Sequence, residues 1–425
     1  MRLDQATPEQ LRQWETELAA QYQAILDQKL NLDLTRGKPS AEQLSLSDAL
    51  DGILAGDYKA ADGTDTRNYG GLDGIKEARE LGAQVLGLDA ANVMAGGNSS
   101  LTMMFQAAMT GYQFGFNGVE SAWKNIDGAK FLCPVPGYDR HYTVCEQLGI
   151  EMVTVPMTAT GPDMDQVEAM IKADQSIIGM WCVPKYSNPT GVVYSEDTVA
   201  RIAALGKIAN PAFRVFWDNA YAVHDLMSNP PQLANIMEAC VAAGTEDSVL
   251  QFASTSKITH AGAGVAFLGG SANNLNAFRK VLGTTTIGPD KINQLRHMKL
   301  LPNMDALSAH MQKHADIINP RFEAVLSKLD AAFADSDLGA WEKPAGGYFI
   351  SFDTQPNCAQ AVVKLAADAG VKLTPAGATF PYGKDPEDRN IRLAPTVPSV
   401  ADVNAAMDVF EVCVKLASVR TKLAS

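Results

Sequence analysis

A lysine preceded by two serines stands where an apolar stretch of the chain gives way to glycine-rich sequence. Residues 250–253 are followed by Ser254, Ser256 and Lys257, and glycines then recur between positions 262 and 270. A lysine amine at the end of a strand can form an imine with an aldehyde, and neighbouring hydroxyls can hold a phosphate carried by the same molecule. A solvated lysine in an ordinary loop is the alternative, and the rest of the chain has to decide between the two.

Polar side chains follow several other apolar runs in the same manner. The runs cover residues 93–95, 130–134, 177–184, 213–217 and 248–253, with helix-like segments between them. Apolar strands that alternate with helices predict an α/β fold with a mostly parallel sheet covered by helices on both faces. Because ligands bind beyond the carboxyl ends of such strands, we expect the following polar groups to share one site. They are Asn98, Ser99, Ser100, Tyr138, Asn188, Asp218 and Tyr221.

The sequence changes character after about residue 300, which indicates a second domain. The predicted elements there are a long helix over 306–329, a strand near 350, a strand over 390–394 and a final helix capped by Ser399. Thr7, Pro8 and Gln10 form a capping-box signature that predicts a helix at the N-terminus. We expect a large cofactor-binding domain over residues 46–300 and a smaller α+β domain formed by residues 1–45 and 301–425.

Composition narrows the class of protein. The chain has 425 residues and a net charge of −13, which disfavours nucleic acid and anionic membranes as partners. Its six cysteines contain no C-x-x-C pair, and the first 30 residues lack the apolar core of a secretion signal. The longest uncharged stretch is rich in Gly and Asn, which is unlike a membrane span. We expect a cytoplasmic protein with reduced thiols.

Two other motifs indicate nicotinamide-cofactor binding and metal binding, but each matches its pattern only in part. Gly262 and Gly264 begin a dinucleotide-binding pattern, but Phe267 occupies the position of its third glycine and the segment opens a strand rather than a helix. His310 and His314 have the spacing of metal ligands on a helix, but the residues between them lack the glutamate of a zinc protease. We therefore expect no metal and a solvated helix face at these histidines.

Taken together, the polar residues resemble one known constellation, that of the fold type I pyridoxal-phosphate aminotransferases of class I/II. The sequence is most similar to the bacterial aspartate aminotransferases of subgroup Ic, and the resemblance covers nearly the whole chain. The matching residues, in order, are Arg36 to Pro39, Tyr69, Asn98 to Ser100, Tyr138, Asn188 to Gly191, Asp218 to Tyr221, Ser254 to Lys257, Gly262 to Phe267, and Arg392.

The resemblance implies a role for each residue around the cofactor ring. Lys257 would hold pyridoxal 5'-phosphate covalently and then move a proton between the substrate Cα and the cofactor C4′. Asp218 would pair with the ring nitrogen and keep it protonated. Asn188 and Tyr221 would hydrogen-bond the ring 3-oxygen, and Tyr138 would stack on the ring face.

The same resemblance implies a phosphate site and a dimer. Tyr69 would reach the phosphate from the neighbouring subunit, which requires a homodimer. Many relatives place an arginine at the position of Val265, so here the helix dipole, hydroxyl groups and His260 would replace that cation. The other phosphate-holding residues would be Asn98, Ser99, Ser100, Ser254 and Ser256.

Substrate recognition follows from the resemblance and from the distribution of cations. Arg392 would bind the substrate α-carboxylate through two parallel N–H bonds, with Asn188 and Gly37 beside the substrate. A dicarboxylic substrate needs a second cation near the far end of its side chain. The loop cations that could serve are Arg36, Lys38, Arg140 and Lys291, of which Arg36 and Lys291 are favoured because their loops lie near a domain or subunit boundary.

The expected reaction is amino-group transfer from aspartate to 2-oxoglutarate, which yields oxaloacetate and glutamate. Transfer from alanine or an aromatic amino acid, and a C–S β-lyase reaction on cysteine conjugates, remain as alternatives. Some transcription regulators carry an aminotransferase-like domain behind a DNA-binding head. Only about 30 residues precede the Arg36 loop and the chain is acidic, so such a regulator is disfavoured.

Overall fold

The computed structural model describes residues 1–424. The strands are β1 (Leu32–Leu34), β2 (Val93–Ala95), β3 (Lys130–Val135), β4 (Glu151–Thr158), β5 (Gly161–Pro162), β6 (Ile177–Cys182), β7 (Arg214–Asp218), β8 (Val249–Ser254), β9 (Ala266–Gly270), β10 (Gly339–Trp341), β11 (Ile350–Thr354), β12 (Val371–Leu373) and β13 (Asn390–Leu393). The helices are α1 (Pro8–Leu26), α2 (Ala41–Ser45), α3 (Lys76–Leu86), α4 (Ser100–Met109), α5 (Asp139–Leu148), α6 (Met164–Ala173), α7 (Glu196–Ala204), α8 (Ile236–Ala243), α9 (Ala272–Leu282), α10 (Lys291–Leu300), α11 (Met304–Phe333), α12 (Ala359–Asp368) and α13 (Val400–Ala424). None of these helices has the length and apolar character needed to cross a lipid bilayer.

The largest sheet has eight strands in the order β2-β9-β8-β7-β6-β3-β4-β5. Strands β2, β3, β4, β6, β7 and β8 run in one direction, and β5 and β9 run against them. The predicted α/β class with a mostly parallel sheet is therefore confirmed. The carboxyl ends of the six aligned strands lie at one edge of the sheet, where ligands bind in folds of this kind.

Both faces of this sheet are buried at its centre, which explains why the central strands β6, β7 and β8 are largely apolar. On β7, Phe216 packs in one core cluster with Phe131 and Phe252, whereas Val215 and Trp217 pack in another on the opposite face. Side chains alternate across a strand, so a strand covered on both faces is apolar at most of its positions. Burying one such side chain contributes roughly 1.5–3 kcal/mol to the free energy of folding.

A second core forms around the ends of the chain. Strands β10, β11 and β13 make a three-stranded antiparallel sheet, and β1 pairs with β12 in parallel. Leu11 and Leu18 of α1 belong to the same hydrophobic cluster as residues of α11 and α13. The boundaries proposed near residues 45 and 300 remain a prediction, although the N-terminal helix does share this C-terminal core.

Helix α11 connects the two parts of the molecule. Leu307 and Met311 in its first half pack in a cluster with strand residues of the large sheet, and Phe322 and Leu329 in its second half pack in the C-terminal core. Pro320 lies inside the helix between these halves. One continuous helix therefore belongs to both hydrophobic cores.

The capping signals read from the sequence are present at the helix ends. The Thr7 side chain accepts a hydrogen bond from the Gln10 N–H, and the Gln10 side chain accepts one from the Thr7 N–H. The Ser399 hydroxyl accepts from the N–H of Asp402 at the start of α13. These caps satisfy N–H groups that have no partner within the helix and so fix where each helix begins.

Candidate active site

A cavity of about 300 Å³ lies at the carboxyl ends of strands β2, β3, β6, β7 and β8. Its wall combines polar groups predicted from the sequence with a few apolar side chains. The predicted residues in the wall are Asn98, Ser99, Ser100, Tyr138, Asn188, Asp218, Tyr221, Ser254, Ser256 and Lys257. The parallel sheet thus brings together residues that are up to 159 positions apart, from Asn98 to Lys257. Tyr69, Gly37, Arg36, Lys291 and Arg392 lie outside this wall.

Lys257 follows β8 and extends toward an aromatic ring. Its ammonium nitrogen lies 4.9 Å from the centre of the Tyr221 ring. Burial lowers the pKa of the Lys257 ammonium below its ordinary value, and the negative charge of Asp218 partly opposes that shift. A lowered pKa increases the fraction of neutral amine, which is the form that acts as a nucleophile or a base.

The backbone of Lys257 is held by groups from distant parts of the chain. The Tyr348 hydroxyl donates to the Lys257 carbonyl at 3.2 Å, and the His224 Nε2 atom lies 3.3 Å from the same oxygen. The amide nitrogen of Gln43, Nε2, donates to the Tyr348 hydroxyl at 2.9 Å. Burial lowers the pKa of His224 to about 3, so this histidine is neutral near pH 7. These contacts fix the position from which the lysine side chain extends.

The next carbonyl, that of Ile258, is held by two histidines of α11. The Nε2 atoms of His310 and His314 both lie 2.8 Å from this oxygen, and Gln43 Nε2 lies 3.0 Å from His314 Nδ1. Both histidines are buried, so the prediction of a solvated helix face was wrong. Burial lowers the pKa of His314 to about 4. Since a neutral ring that donates from Nε2 accepts at Nδ1, the Gln43 amide matches that tautomer.

Asp218 ends β7 and has one oxygen engaged and one free. His141 Nε2 lies 3.0 Å from Oδ2 of Asp218, and both side chains are buried. Within residues 1–424, the other oxygen, Oδ1, is buried without a hydrogen-bond partner. The His141 ring stacks on Trp181 with a centroid distance of 4.3 Å. His141 was not predicted from the sequence, although it follows Tyr138 by three residues and so lies on the same side of a helical turn.

The turn of residues 98–100 lies at the N-terminus of α4 and is tied to the Lys257 strand end. The Ser256 hydroxyl donates to the Asn98 carbonyl at 2.9 Å, and the Ser254 hydroxyl donates to that of Ser256 at 3.1 Å. The Asn98 amide donates to the Gly262 carbonyl at 3.1 Å. Free N–H groups and the helix dipole at such a terminus favour an anion.

The cavity has few positive charges. Within the described residues 1–424, Lys257 is the only cationic residue in its wall. Val265 is buried in the core, and its N–H donates to the Thr255 hydroxyl at 2.9 Å. The Nε2 atom of His260 lies 3.6 Å from Oδ1 of Asp48, so His260 is paired with a carboxylate in this structure. An anion beside Ser254 therefore relies on hydroxyl groups, backbone N–H groups and the dipole of α4.

Arg392 lies on β13, near the cavity but outside its wall. Its Nη1 atom donates to Asn188 Oδ1 at 3.2 Å and to Asp139 Oδ1 at 3.3 Å. The guanidinium carbon lies 4.8 Å from the centre of the Phe349 ring. Phe349 in turn meets the Tyr221 ring edge to face, with centroids 6.3 Å apart. Phe349 was not predicted, and it links the arginine to the ring below Lys257.

The segment with Arg36 and Gly37 packs against the same aromatic ring. A β-carbon at position 37 would collide with the Phe349 ring, so only glycine is compatible with this approach. The Thr374 hydroxyl donates to the Thr35 carbonyl at 2.9 Å, which holds the segment at the end of β12. Arg36 itself is exposed. This placement brings Gly37 close to Arg392 through Phe349.

Tyr69 and Lys291 lie together, away from the cavity. Tyr69 is 84% exposed on a loop. The buried Lys291 ammonium donates to the carbonyls of Asn68 at 2.8 Å and Gly70 at 2.6 Å, on either side of Tyr69. In a single chain, Lys291 therefore holds the Tyr69 loop and does not reach the cavity that contains Lys257. An exposed tyrosine on a well-held loop is suited to a contact with another molecule.

A family model, a curated relative and a solved structure all relate this chain to aspartate aminotransferases. Residues 6–425 match the family model described as aspartate amino-transferase. The aspartate aminotransferase of Corynebacterium glutamicum is 46% identical over 95% of this chain and 93% of its own. The crystal structure of an aspartate transaminase from the same organism has a TM-score of 0.96, with 44% identity and 99% of each chain covered.

A more distant structure shares the fold alone. The α-aminoadipate aminotransferase of Thermus thermophilus, solved in complex with N-(5'-phosphopyridoxyl)-L-leucine, has a TM-score of 0.74 at 19% identity. It covers 95% of this chain and 97% of its own.

Proposed function

The chain belongs to the aspartate aminotransferase family, and we propose that it binds pyridoxal 5'-phosphate and transfers the amino group of aspartate to 2-oxoglutarate. The observation that carries this proposal is the cavity in which Lys257, Asp218, Asn188 and Tyr221 meet at the strand ends. The two Corynebacterium glutamicum relatives, which are named for aspartate, support the choice of substrate.

The residues present are compatible with this cofactor. Asp218 Oδ1 is buried without a partner among residues 1–424, which is costly unless a donor such as a protonated ring nitrogen occupies the cavity. Lys257 supplies an amine with a lowered pKa, suited to covalent attachment of an aldehyde. The volume of about 300 Å³ is at the lower end of the range of small-molecule sites.

When bound, the cofactor supplies an aldehyde carbon for the amino group and a ring that accepts the electron pair released at the substrate Cα. Once the substrate amine has replaced Lys257 at the aldehyde carbon, the freed Lys257 Nζ would take the proton from Cα and return it at that carbon. Its lowered pKa favours the neutral amine required for the first of these transfers. Asp218 holds a proton at the ring nitrogen, while His141 on Oδ2 keeps the carboxylate in place.

Asn188 and Tyr221 act on the ring 3-oxygen. The Asn188 amide oxygen already accepts from Arg392 Nη1 at 3.2 Å, which leaves its NH₂ group as the donor to the cofactor. Burial raises the pKa of the Tyr221 hydroxyl well above its ordinary value, so this group remains a donor throughout the physiological range. Tyr138 would stack on the ring, and the hydroxyls of Ser254 and Ser256 would hold the phosphate together with the 98–100 turn.

Arg392 binds the α-carboxylate of the substrate. Its guanidinium carbon lies 4.8 Å from the centre of the Phe349 ring, and the planar group can offer a carboxylate two parallel hydrogen bonds. Gly37 and Asn188 lie beside the substrate, and Arg36 is the distal cation from the same chain. Lys291 lies with Tyr69, so it can serve a substrate only at the site of a partner subunit to which that loop contributes. We propose that the functional unit is a homodimer in which the Tyr69 loop contributes to the site of the partner subunit.

The test of the substrate compares kcat/KM for aspartate, glutamate, alanine and phenylalanine with 2-oxoglutarate as acceptor. Aspartate is expected to exceed alanine by about one to two decades, because a charge-assisted hydrogen bond contributes roughly 1.5–3 kcal/mol. Arg36→Ala should reduce the value for aspartate and leave that for alanine nearly unchanged. Lys291→Ala should do the same if Lys291 serves the distal carboxylate, whereas an equal loss for both donors would show that it only holds the Tyr69 loop. Lys124→Ala, at an exposed cation elsewhere, is the control.

Two outcomes would change the proposal in different ways. If alanine or phenylalanine is the best donor, the aspartate assignment is wrong and the aminotransferase class survives. If a cysteine conjugate releases pyruvate and ammonia faster than any donor transfers its amino group, the chain is a β-lyase in its main activity.

A further inference from the structure

An acidic side chain is already bound to the arginine that is proposed to receive the substrate. Asp139 Oδ1 lies 3.3 Å from Arg392 Nη1. The Arg392 side chain is 8% exposed and that of Asp139 is 34% exposed, so the pair lies at the border between protein and solvent. Such a partly desolvated ion pair is less screened than one on the surface.

The other partners of Arg392 are neutral. Nη1 also donates to Asn188 Oδ1 at 3.2 Å, and Nε donates to Thr374 Oγ1 at 3.4 Å. Among residues 1–424, Asp139 is the only anion that pairs with this guanidinium. A substrate carboxylate carries the same charge and the same geometry as the Asp139 carboxylate, so the two compete for the same N–H donors.

The local fold holds Asp139 in this place. Asp139 is the first residue of α5, directly after Tyr138, which lines the cavity. The positive end of the helix dipole favours a negative charge at that position. A carboxylate there can leave Arg392 and still be stabilised by the helix terminus, so its displacement does not strand an uncompensated charge.

We propose that Asp139 is a positioning residue that holds Arg392 before substrate arrives and is displaced by the substrate α-carboxylate. The proposal rests on the function proposed above, because it assumes that Arg392 binds that carboxylate. The proposal predicts that a substitution beside the binding site increases the affinity for a carboxylate. Removing the charge of Asp139 should strengthen carboxylate binding, whereas removing a residue that merely supports the site would weaken it.

The experiment measures the dissociation constant of maleate, a dicarboxylate without an amino group, on the cofactor-loaded enzyme by calorimetry. Asp139→Asn keeps the size of the side chain and an acceptor oxygen but removes the charge. We expect maleate to bind about twofold to fivefold more tightly to this variant. The gain should shrink between about 20 mM and about 300 mM salt, because salt screens the competing charge. Asp139→Glu should restore weaker, wild-type-like binding.

Asp165→Asn is the matched control. Asp165 also lies in the first turn of a helix and pairs with an arginine, Arg201, at 2.7 Å, but on the surface of the molecule. This variant should leave the maleate affinity unchanged. Unchanged or weaker binding in Asp139→Asn would overturn the proposal.

Arg392→Lys distinguishes a failure of the Asp139 competition from a failure of the carboxylate site at Arg392. If Arg392→Lys weakens maleate and Asp139→Asn does not strengthen it, only the competition is refuted. If Arg392→Lys has no effect on maleate, the proposed carboxylate site at Arg392 is itself wrong.

Discussion

His141 Nε2 lies 3.0 Å from Oδ2 of Asp218, and the contact joins the first turn of α5 to the end of β7. The His141 ring is itself fixed by stacking on Trp181. One carboxylate oxygen is thus occupied by the protein, and the other is left for a ligand. The orientation of Asp218 is set before any cofactor arrives, which is how a polar group is prepared for catalysis.

Asp218→Asn should nearly abolish amino transfer while the cofactor remains bound. A neutral amide cannot keep the ring nitrogen protonated, and each pKa unit lost there corresponds to about 1.4 kcal/mol. A loss of several units lowers the rate by orders of magnitude. Single-turnover kinetics measures the rate, and the visible absorption of the protein reports retained cofactor. Asp127→Asn, at an exposed position, should behave as wild type. Near-normal turnover in Asp218→Asn would mean that this carboxylate is structural.

Borohydride reduction of the loaded protein should attach the pyridoxyl group to Lys257. The reason is its lowered pKa and its place in the cavity wall. Peptide mapping identifies the modified residue. Lys185 is the internal control, because it is also buried but is paired with Asp225 at 2.7 Å. A label on Lys185, or no label at all, would contradict the assignment of the cofactor.

Mixing two inactive variants should restore activity if Tyr69 completes the site of a partner subunit. Lys257→Ala lacks the amine and Tyr69→Phe lacks the hydroxyl, but a mixed dimer contains one site with both. Random exchange of subunits in an equal mixture should make about a quarter of all sites wild-type in composition. Tyr69 is 84% exposed in the single chain, so its substitution should cost little stability. A fully active monomer in sedimentation would exclude shared sites.

Arg392→Lys should raise KM for every amino donor, and the increase should be about equal for aspartate and alanine. A lysine retains the charge but loses the planar pair of N–H donors and the contact between the guanidinium and the Phe349 ring. The ratio of kcat/KM between aspartate and alanine is the diagnostic quantity. A change confined to aspartate would indicate that Arg392 binds the distal carboxylate instead.

The pH dependence of stability should report the buried His314. Its folded pKa is about 4, below the value of about 6.5 for an unfolded histidine. Between these values the unfolded chain binds the extra proton, so stability falls as the pH is lowered from about 6.5 to about 4. His314→Asn should make this fall less steep by up to about 1.4 kcal/mol per pH unit. Urea unfolding midpoints across that range measure the slope, with Asn319→Ala as a control on the same helix. Equal slopes would show that His314 titrates normally.

Much of the sheet was predictable because its strands are apolar on both faces. The run at 213–217 corresponds to β7, Arg214–Asp218, and the run at 248–253 to β8, Val249–Ser254. The polar residues after these strands were predicted to meet, and the cavity wall contains Asn188, Asp218 and Lys257 together. Their catalytic roles remain predictions.

The residues that sequence reasoning missed depend on contacts between distant segments. His314 looked like a solvated helix residue because its partner, Gln43, lies 271 positions away. Phe349 gave no signal, since an aromatic residue before a strand is ordinary core sequence, and its importance comes from Arg392 and Gly37 packing against it. A sequence pattern shows which faces are apolar, but not which buried polar group will find a partner.

The proline in α11 has a mechanical consequence. Pro320 has no N–H to donate to the carbonyl of Asp316, so the helix is least stiff in the turn between its two halves. A force that displaces the C-terminal core bends the helix at this turn before it disturbs the preceding segment. His310 and His314 lie on the near side of that point, against the Ile258 carbonyl. A bend at Pro320 would therefore leave these two histidine contacts in place, while Tyr348 still ties the Lys257 carbonyl to the C-terminal core.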